Sequence, residues 1–225
     1  LPASAGYRGS EIPGIHIMPD SVVNRDVALE SAPRILLVDA DASISSNAFA
    51  YYQASLEGAL YGYDAHRIQN DYADVPTADM LDDYDIVIWS QPARSPGYIG
   101  AWGALGNYLD QGGRLLISGQ DIGYLDYYTD AYRQYLHATY LSDNSGLGAV
   151  SGTPGDILDG AALTYNTPDS ARNQETPDRI AAYDAYASPI ANSATGDIVG
   201  LRSDNCVSRA VYLSFGLEGV GPSAA

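Results

Sequence analysis

Apolar and polar positions follow two rhythms along this chain. The run Arg34-Ile35-Leu36-Leu37-Val38 is continuously apolar after its first residue and ends in Asp39, the pattern of a strand covered on both faces. Helical spacing takes over at Phe49, Tyr52, Leu56 and Leu60, with Ser45-Ser46-Asn47 as candidate N-caps and Gly62 as the stop. The alternation repeats. Residues 63–68 read as a second strand, 77–81 as a short helix and 84–90 as a third strand. Residues 97–111 carry Ile99, Trp102, Leu105 and Leu109 on one helical face, then Gly112-Gly113 breaks the pattern and Arg114-Leu115-Leu116-Ile117-Ser118 forms a fourth strand.

Strands alternating with helices predict a three-layer α/β domain: a mostly parallel, flavodoxin-like sheet with right-handed crossovers. Residues 141–200 lose the rhythm and are rich in Gly, Ser, Thr, Asp and Asn. They read as a β-rich insertion containing Ala162-Leu163-Thr164-Tyr165, before strands at 198–201 and 210–214 rejoin the core. Residues 1–32, rich in Pro, Gly and Ser, read as a linker or the tail of a preceding domain, which gives a main domain of residues 33–225.

Any site in such a sheet belongs at the carboxyl ends of its strands. Those positions hold Asp39, Asp41 and Ser43, then Ser90 and Gln91, then Ser118, Gln120 and Asp121, and finally Glu218. Acyl transfer by a Ser or Cys nucleophile needs a base within hydrogen-bond reach. The three histidines are His16 in the linker, His66 in or beside the second strand and His137 after a Tyr-rich segment; none falls at a strand end. The catalytic set is therefore empty on this reading.

Asp39-Ala40-Asp41-Ala42-Ser43 resembles the opening of a calcium loop, but Ile44 and Ala50 stand where an EF-hand needs Gly and Glu. Two readings stay open: carboxylates that cap helices and face water, or a looser calcium site on Asp39 and Asp41, the one cofactor the chain suggests. Tyr124, Tyr128 and Tyr132 fall at helical spacing on a helix expected over 124–136. They form either a ligand-stacking platform or a buried stripe against the sheet.

Charge narrows the partners. The formal net charge is −17, and all 11 basic residues are Arg, so the surface repels phosphate backbones and anionic membranes, and neither nucleic acid nor membrane is an expected partner. Cys206 is the single cysteine, so no internal disulfide framework exists.

The segments Ala210-Val211-Tyr212-Leu213-Ser214-Phe215-Gly216-Leu217-Glu218 and 114–121 resemble the places where class I glutamine amidotransferases keep a Phe-His-Pro-Glu strand end and a nucleophilic Cys. Here Gly216 stands at the His position and no Cys follows the fourth strand. The paired Tyr51-Tyr52, the stretch 112–123 with Ser118-Gly119-Gln120-Asp121-Ile122-Gly123, the Tyr-Leu-x-Ala-x-Tyr segment 135–140 and the 215–218 strand end are together similar to amidotransferase-like domains attached to secreted bacterial subtilisin-like and other extracellular peptidases. That resemblance implies an amidotransferase-like fold, an extracellular location, other domains of the same polypeptide as partners, and no catalysis by this segment. It leaves three functions to weigh: a non-catalytic accessory domain serving adhesion, substrate presentation or spacing; a hydrolase using the acidic strand-end cluster; and a carbohydrate-binding module contacting polysaccharide through tyrosines.

Overall fold

A computed structural model describes residues 6–222 except 11, 12, 17, 21, 25, 45, 46 and 147. Its first four strands are β1 (Ile35–Asp39), β2 (Asp64–Arg67), β3 (Ile86–Ser90) and β4 (Arg114–Ser118). Between them lie α1 (Ala48–Gly58), α2 (Ala78–Leu81) and α3 (Trp102–Asp110). The elements foreseen from the pattern are all present, with adjusted ends. Thr77 starts α2 by accepting the Met80 N–H on its hydroxyl. The expected helix over 97–111 begins only at Trp102, because Ile99 is buried ahead of it and Gly100 turns the chain at φ +79°. Of the expected α1 caps, Ser45 and Ser46 lie outside the described residues, and Asn47 occupies the cap position without a side-chain hydrogen bond.

The helix expected over 124–136 is two helices, α4 (Ile122–Asp126) and α5 (Asp130–Leu136). Asp126 causes the break: its buried carboxylate accepts hydrogen bonds from the Ser95 hydroxyl, the Gly97 N–H and the Trp102 indole. Thr129 then caps a fresh helix through the Tyr132 N–H. The tyrosines therefore share no single stripe.

Eight further strands follow: β5 (Ala138–Ser142), β6 (Ala149–Gly152), β7 (Ala162–Tyr165), β8 (Arg179–Ala182), β9 (Ala187–Ser193), β10 (Ile198–Asp204), β11 (Arg209–Leu213) and β12 (Val220–Pro222). The main sheet runs β12-β7-β6-β9-β10-β11-β4-β3-β1-β2, while β5 and β8 pair separately. The half from β11 to β2 is parallel and has the flavodoxin strand order. The half from β10 to β12 is antiparallel. "Mostly parallel" is thus corrected to a mixed sheet: β6, β7 and β9 of the predicted insertion extend the same sheet, a pairing their short polar sequences do not announce.

Two faces of the parallel half are covered differently. Leu36, Val38, Val87, Trp89, Leu115 and Ile117 pack with Leu105, Leu109, Tyr132 and Leu136 from α3 and α5. On the opposite face Ile35, Leu37 and Ile88 pack with Phe49 and Tyr52 of α1. The N-terminal segment is tied on by single bridges, Tyr7 to Ser31 and Arg8 to Tyr61.

Candidate functional site

Register aligns the strand ends. Arg67, Asp39, Ser90, Ser118 and Leu213 form one lateral row across β2, β1, β3, β4 and β11. Residues just past that row gather at one edge of the sheet, as parallel strands require. The candidate residues Asp39, Asp41, Ser118, Gln120, Asp121 and Glu218 all lie there.

Each is engaged by a neighbour. Asp39 is fully buried and accepts from Arg67 Nε at 3.0 Å, while its Oδ1 has no partner among the described residues. Burial raises its carboxyl pKa although Arg67 opposes the shift. Asp41, also fully buried, accepts from Arg94 Nε, from the Ala93 N–H and from Gln91. Arg94 uses its remaining donors on Asp71, the Ala40 carbonyl and Ser43. The turn after β1 is thus closed around a guanidinium. Asp39 and Asp41 each answer a different arginine, and among the described residues no three His, Cys, Asp or Glu side chains are grouped to hold a metal ion.

The Ser118 hydroxyl donates to the Phe215 carbonyl and accepts the Leu217 N–H, both at 2.8 Å. Its oxygen serves the backbone. Gln120 reaches into residues 173–176, donating to the Asn173 carbonyl and accepting from the Glu175 and Thr176 N–H groups. Glu218, in a 3₁₀ turn at Leu217–Gly219, is 1% exposed. It accepts from the Tyr52 hydroxyl and the Asn173 amide, both at 2.9 Å. Burial raises its pKa, against those donors.

Position 216 has no room for a side chain. A Cβ there would lie 2.0 Å from Glu218 Oε1 and 2.7 Å from Gln174 Nε2. The space of a side chain is filled by Glu218 folding back and by Gln174, which accepts the Gly216 N–H. The histidines are elsewhere: His66 contacts the Asp74 carbonyl, His137 pairs with Asp184, and His16 is exposed.

Beside this network lies an acidic corner. Burial raises Asp121 to about 6, with Asp143, Asp41 and Glu175 adding to the shift. Asp178, fully buried with Oδ1 unpartnered among the described residues, is raised to about 8 by burial, against the Tyr124 N–H that it accepts. Around the rim Tyr124, Tyr127 and Tyr128 are exposed, Tyr127 stacking on Tyr140 at 5.4 Å and meeting Tyr128 edge-on at 5.7 Å. Tyr132 is not among them: it is fully buried against Tyr212. The expected trio is corrected to Tyr124, Tyr127 and Tyr128.

Sequence reasoning missed Arg94, Asp71, Asn173, Gln174 and Asp178. Arg94 had a faint signal, a basic residue four past a strand end in an arginine-poor chain. The other four sit in irregular segments whose fold-back no periodicity reports.

No family model matches the chain, and no curated protein does. Solved structures are similar in fold. An exo-β-1,4-mannosidase from Opitutaceae bacterium strain TAV5 matches with 14% identity over 83% of this chain, at TM-score 0.56. This chain covers 32% of that enzyme, so it corresponds to about a third of the larger protein. A putative ThuA-like protein from Bacteroides uniformis matches with 12% identity over 81% of this chain and 80% of its own, TM-score 0.53. A putative GMP synthase component from Thermoplasma acidophilum matches with 17% identity over 78% and 81%, TM-score 0.50. The class these define is the glutamine amidotransferase-like α/β fold. Identities this low carry the fold alone.

Proposed function

We propose that this chain is a non-catalytic accessory domain of a larger secreted protein, serving adhesion, substrate presentation or spacing beside other domains of the same polypeptide. The supporting observation is Gly216: the place of an amidotransferase base is occupied by Glu218 and Gln174, and Ser118 spends its hydroxyl on the backbone. A nucleophile without a base within reach supports no acyl transfer. The extracellular setting and the peptidase partner rest on the resemblance of residues 112–123 and 215–218, and the complete reading frame tests them.

Purified protein is expected to unfold cooperatively and to give no glutaminase, esterase or peptidase turnover. Turnover abolished by Asp121→Ala at unchanged Tm overturns this reading in favour of an acidic-cluster hydrolase.

A second reading is favoured by the rim. Exposed Tyr124 and Tyr127 pack on Tyr140, with Tyr128 edge-on to Tyr127, and the charges of Asp178 and Asp143 act on Tyr140, so aromatic faces stand near hydrogen-bond acceptors, as sugar stacking requires. The similarity to part of a mannosidase makes β-1,4-linked mannooligosaccharides the first probe. Calorimetric titration is expected to show binding that Tyr128→Ala weakens, and an absence of heat at millimolar sugar removes the carbohydrate reading.

A further inference from the structure

Two further tyrosines stand in the loops at the strand-end edge. Tyr72, after β2, is 72% exposed, and Tyr98, after β3, is 56% exposed. Backbone contacts connect both to the rim. The Tyr72 N–H donates to the Ile99 carbonyl at 3.0 Å, and the Tyr72 ring packs against Gly100, where a Cβ would run into its ring atoms. Tyr98 follows Gly97, whose N–H donates to Asp126, and Asp126 directly precedes Tyr127 and Tyr128. The loop after β2, the loop after β3 and α4 are therefore fastened into one surface, and each part carries an exposed tyrosine.

Tyr72 is held in place against its backbone preference. Its φ is +62°, the left-handed region that a bulky side chain rarely enters and that glycine adopts freely. A ring lying mostly in water recovers little of that strain through burial. Such strain points to a side chain kept for presentation rather than for packing.

The surroundings narrow what is presented to. In residues 68–76, 91–101 and 121–130 every exposed large hydrophobic side chain is a tyrosine. Asp71 and Asp74 flank Tyr72 as partly exposed acceptors. The one basic residue of these segments, Arg94, is committed to Asp41 and Asp71. Aromatic faces among acceptors suit sugar rings, which stack through their C–H faces and donate through their hydroxyls. With a net charge of −17 and no uncommitted cation in these loops, an anionic chain is repelled.

We propose that Tyr72 and Tyr98 extend the rim of Tyr124, Tyr127 and Tyr128 into one platform for a neutral, linear polysaccharide, engaging more sugar rings than the rim alone. This rests on the carbohydrate reading above and adds chain length and neutrality to it.

Calorimetry with β-1,4-mannotriose and β-1,4-mannohexaose tests it. The hexaose is expected to bind about tenfold or more tighter than the triose, each added ring contact contributing about three- to tenfold. A galacturonate hexamer, linear but anionic, is expected to give no heat. Tyr72→Gly and Tyr98→Ala are each expected to weaken hexaose binding and to leave triose binding unchanged, with Tyr72→Gly holding or raising Tm because it relieves the left-handed backbone. Equal affinity for triose and hexaose overturns the extended platform and leaves the rim reading in place. So does a hexaose affinity that ignores both substitutions, or a triose affinity that falls with them as far as the hexaose does. A Tm lowered by Tyr72→Gly marks a packing role and overturns the part assigned to that ring. Galacturonate binding as tight as the hexaose overturns the neutral class, and no heat from either mannooligosaccharide at millimolar concentration overturns the platform together with the rim reading.

Discussion

A methyl group at position 216 would collide with Glu218 Oε1 at 2.0 Å, and that carboxylate is held from the other side by Tyr52 and Asn173. Gly216→Ala is therefore expected to cost about 2 to 4 kcal/mol, in the range of overpacking combined with a disturbed buried polar group. Denaturant titration reads this, and Gly216→His is expected to destabilise further without creating glutaminase activity. Arg94 supplies a second residue-level prediction. Its removal leaves Asp41 buried without its cation, so Arg94→Ala is expected to cost about 3 to 5 kcal/mol. The double variant Arg94→Ala/Asp41→Asn is expected to recover part of that loss, since the uncompensated charge goes with it. Equal stability of the single and double variants contradicts that assignment.

Among the elements, α4 and the segment leading into β8 share the groups whose titration matters most. Asp178 is raised to about 8 and Asp121 to about 6, both first by burial. A carboxyl raised in the folded state holds its proton there after the unfolded chain has lost it. Between the ordinary carboxylate range and these values the folded state binds more protons, so stability falls as pH rises. The Tm is expected to decline from pH 5 to pH 9, and Asp178→Asn is expected to flatten most of that slope. A Tm that rises over this window sinks the assignment. The same region marks the limit of sequence reading. Residues 34–118 disclosed their strands and helices because buried parallel strands are continuous apolar runs and their helices repeat every three to four residues. Residues 122–136 misled because Tyr spacing continues across a break that Asp126 makes through contacts with Ser95, Gly97 and Trp102, all distant in sequence. The strand-end residues Asp39, Asp41, Ser118, Gln120 and Glu218 were legible from topology, but their partners Arg94, Asn173 and Gln174 come from loops whose return path no local pattern records.

For the molecule as a whole, one sheet runs through both the regular half and the irregular one, so the two are expected to melt in a single transition by every probe. Separate transitions by tyrosine fluorescence and far-ultraviolet dichroism would split the domain at the β10–β11 junction. A sheet this wide also has to end somewhere. At one margin β2 is four residues long, Asp64-Ala65-His66-Arg67, with two charged side chains and an imidazole. At the other, β12 is three residues long and finishes in Pro222, which has no N–H to offer. Short, charged or proline-ended margins are poor templates for a further strand. Placed beside β-rich neighbours, or crowded among copies of itself, the ten-stranded sheet presents no long open ladder at either margin among the described residues.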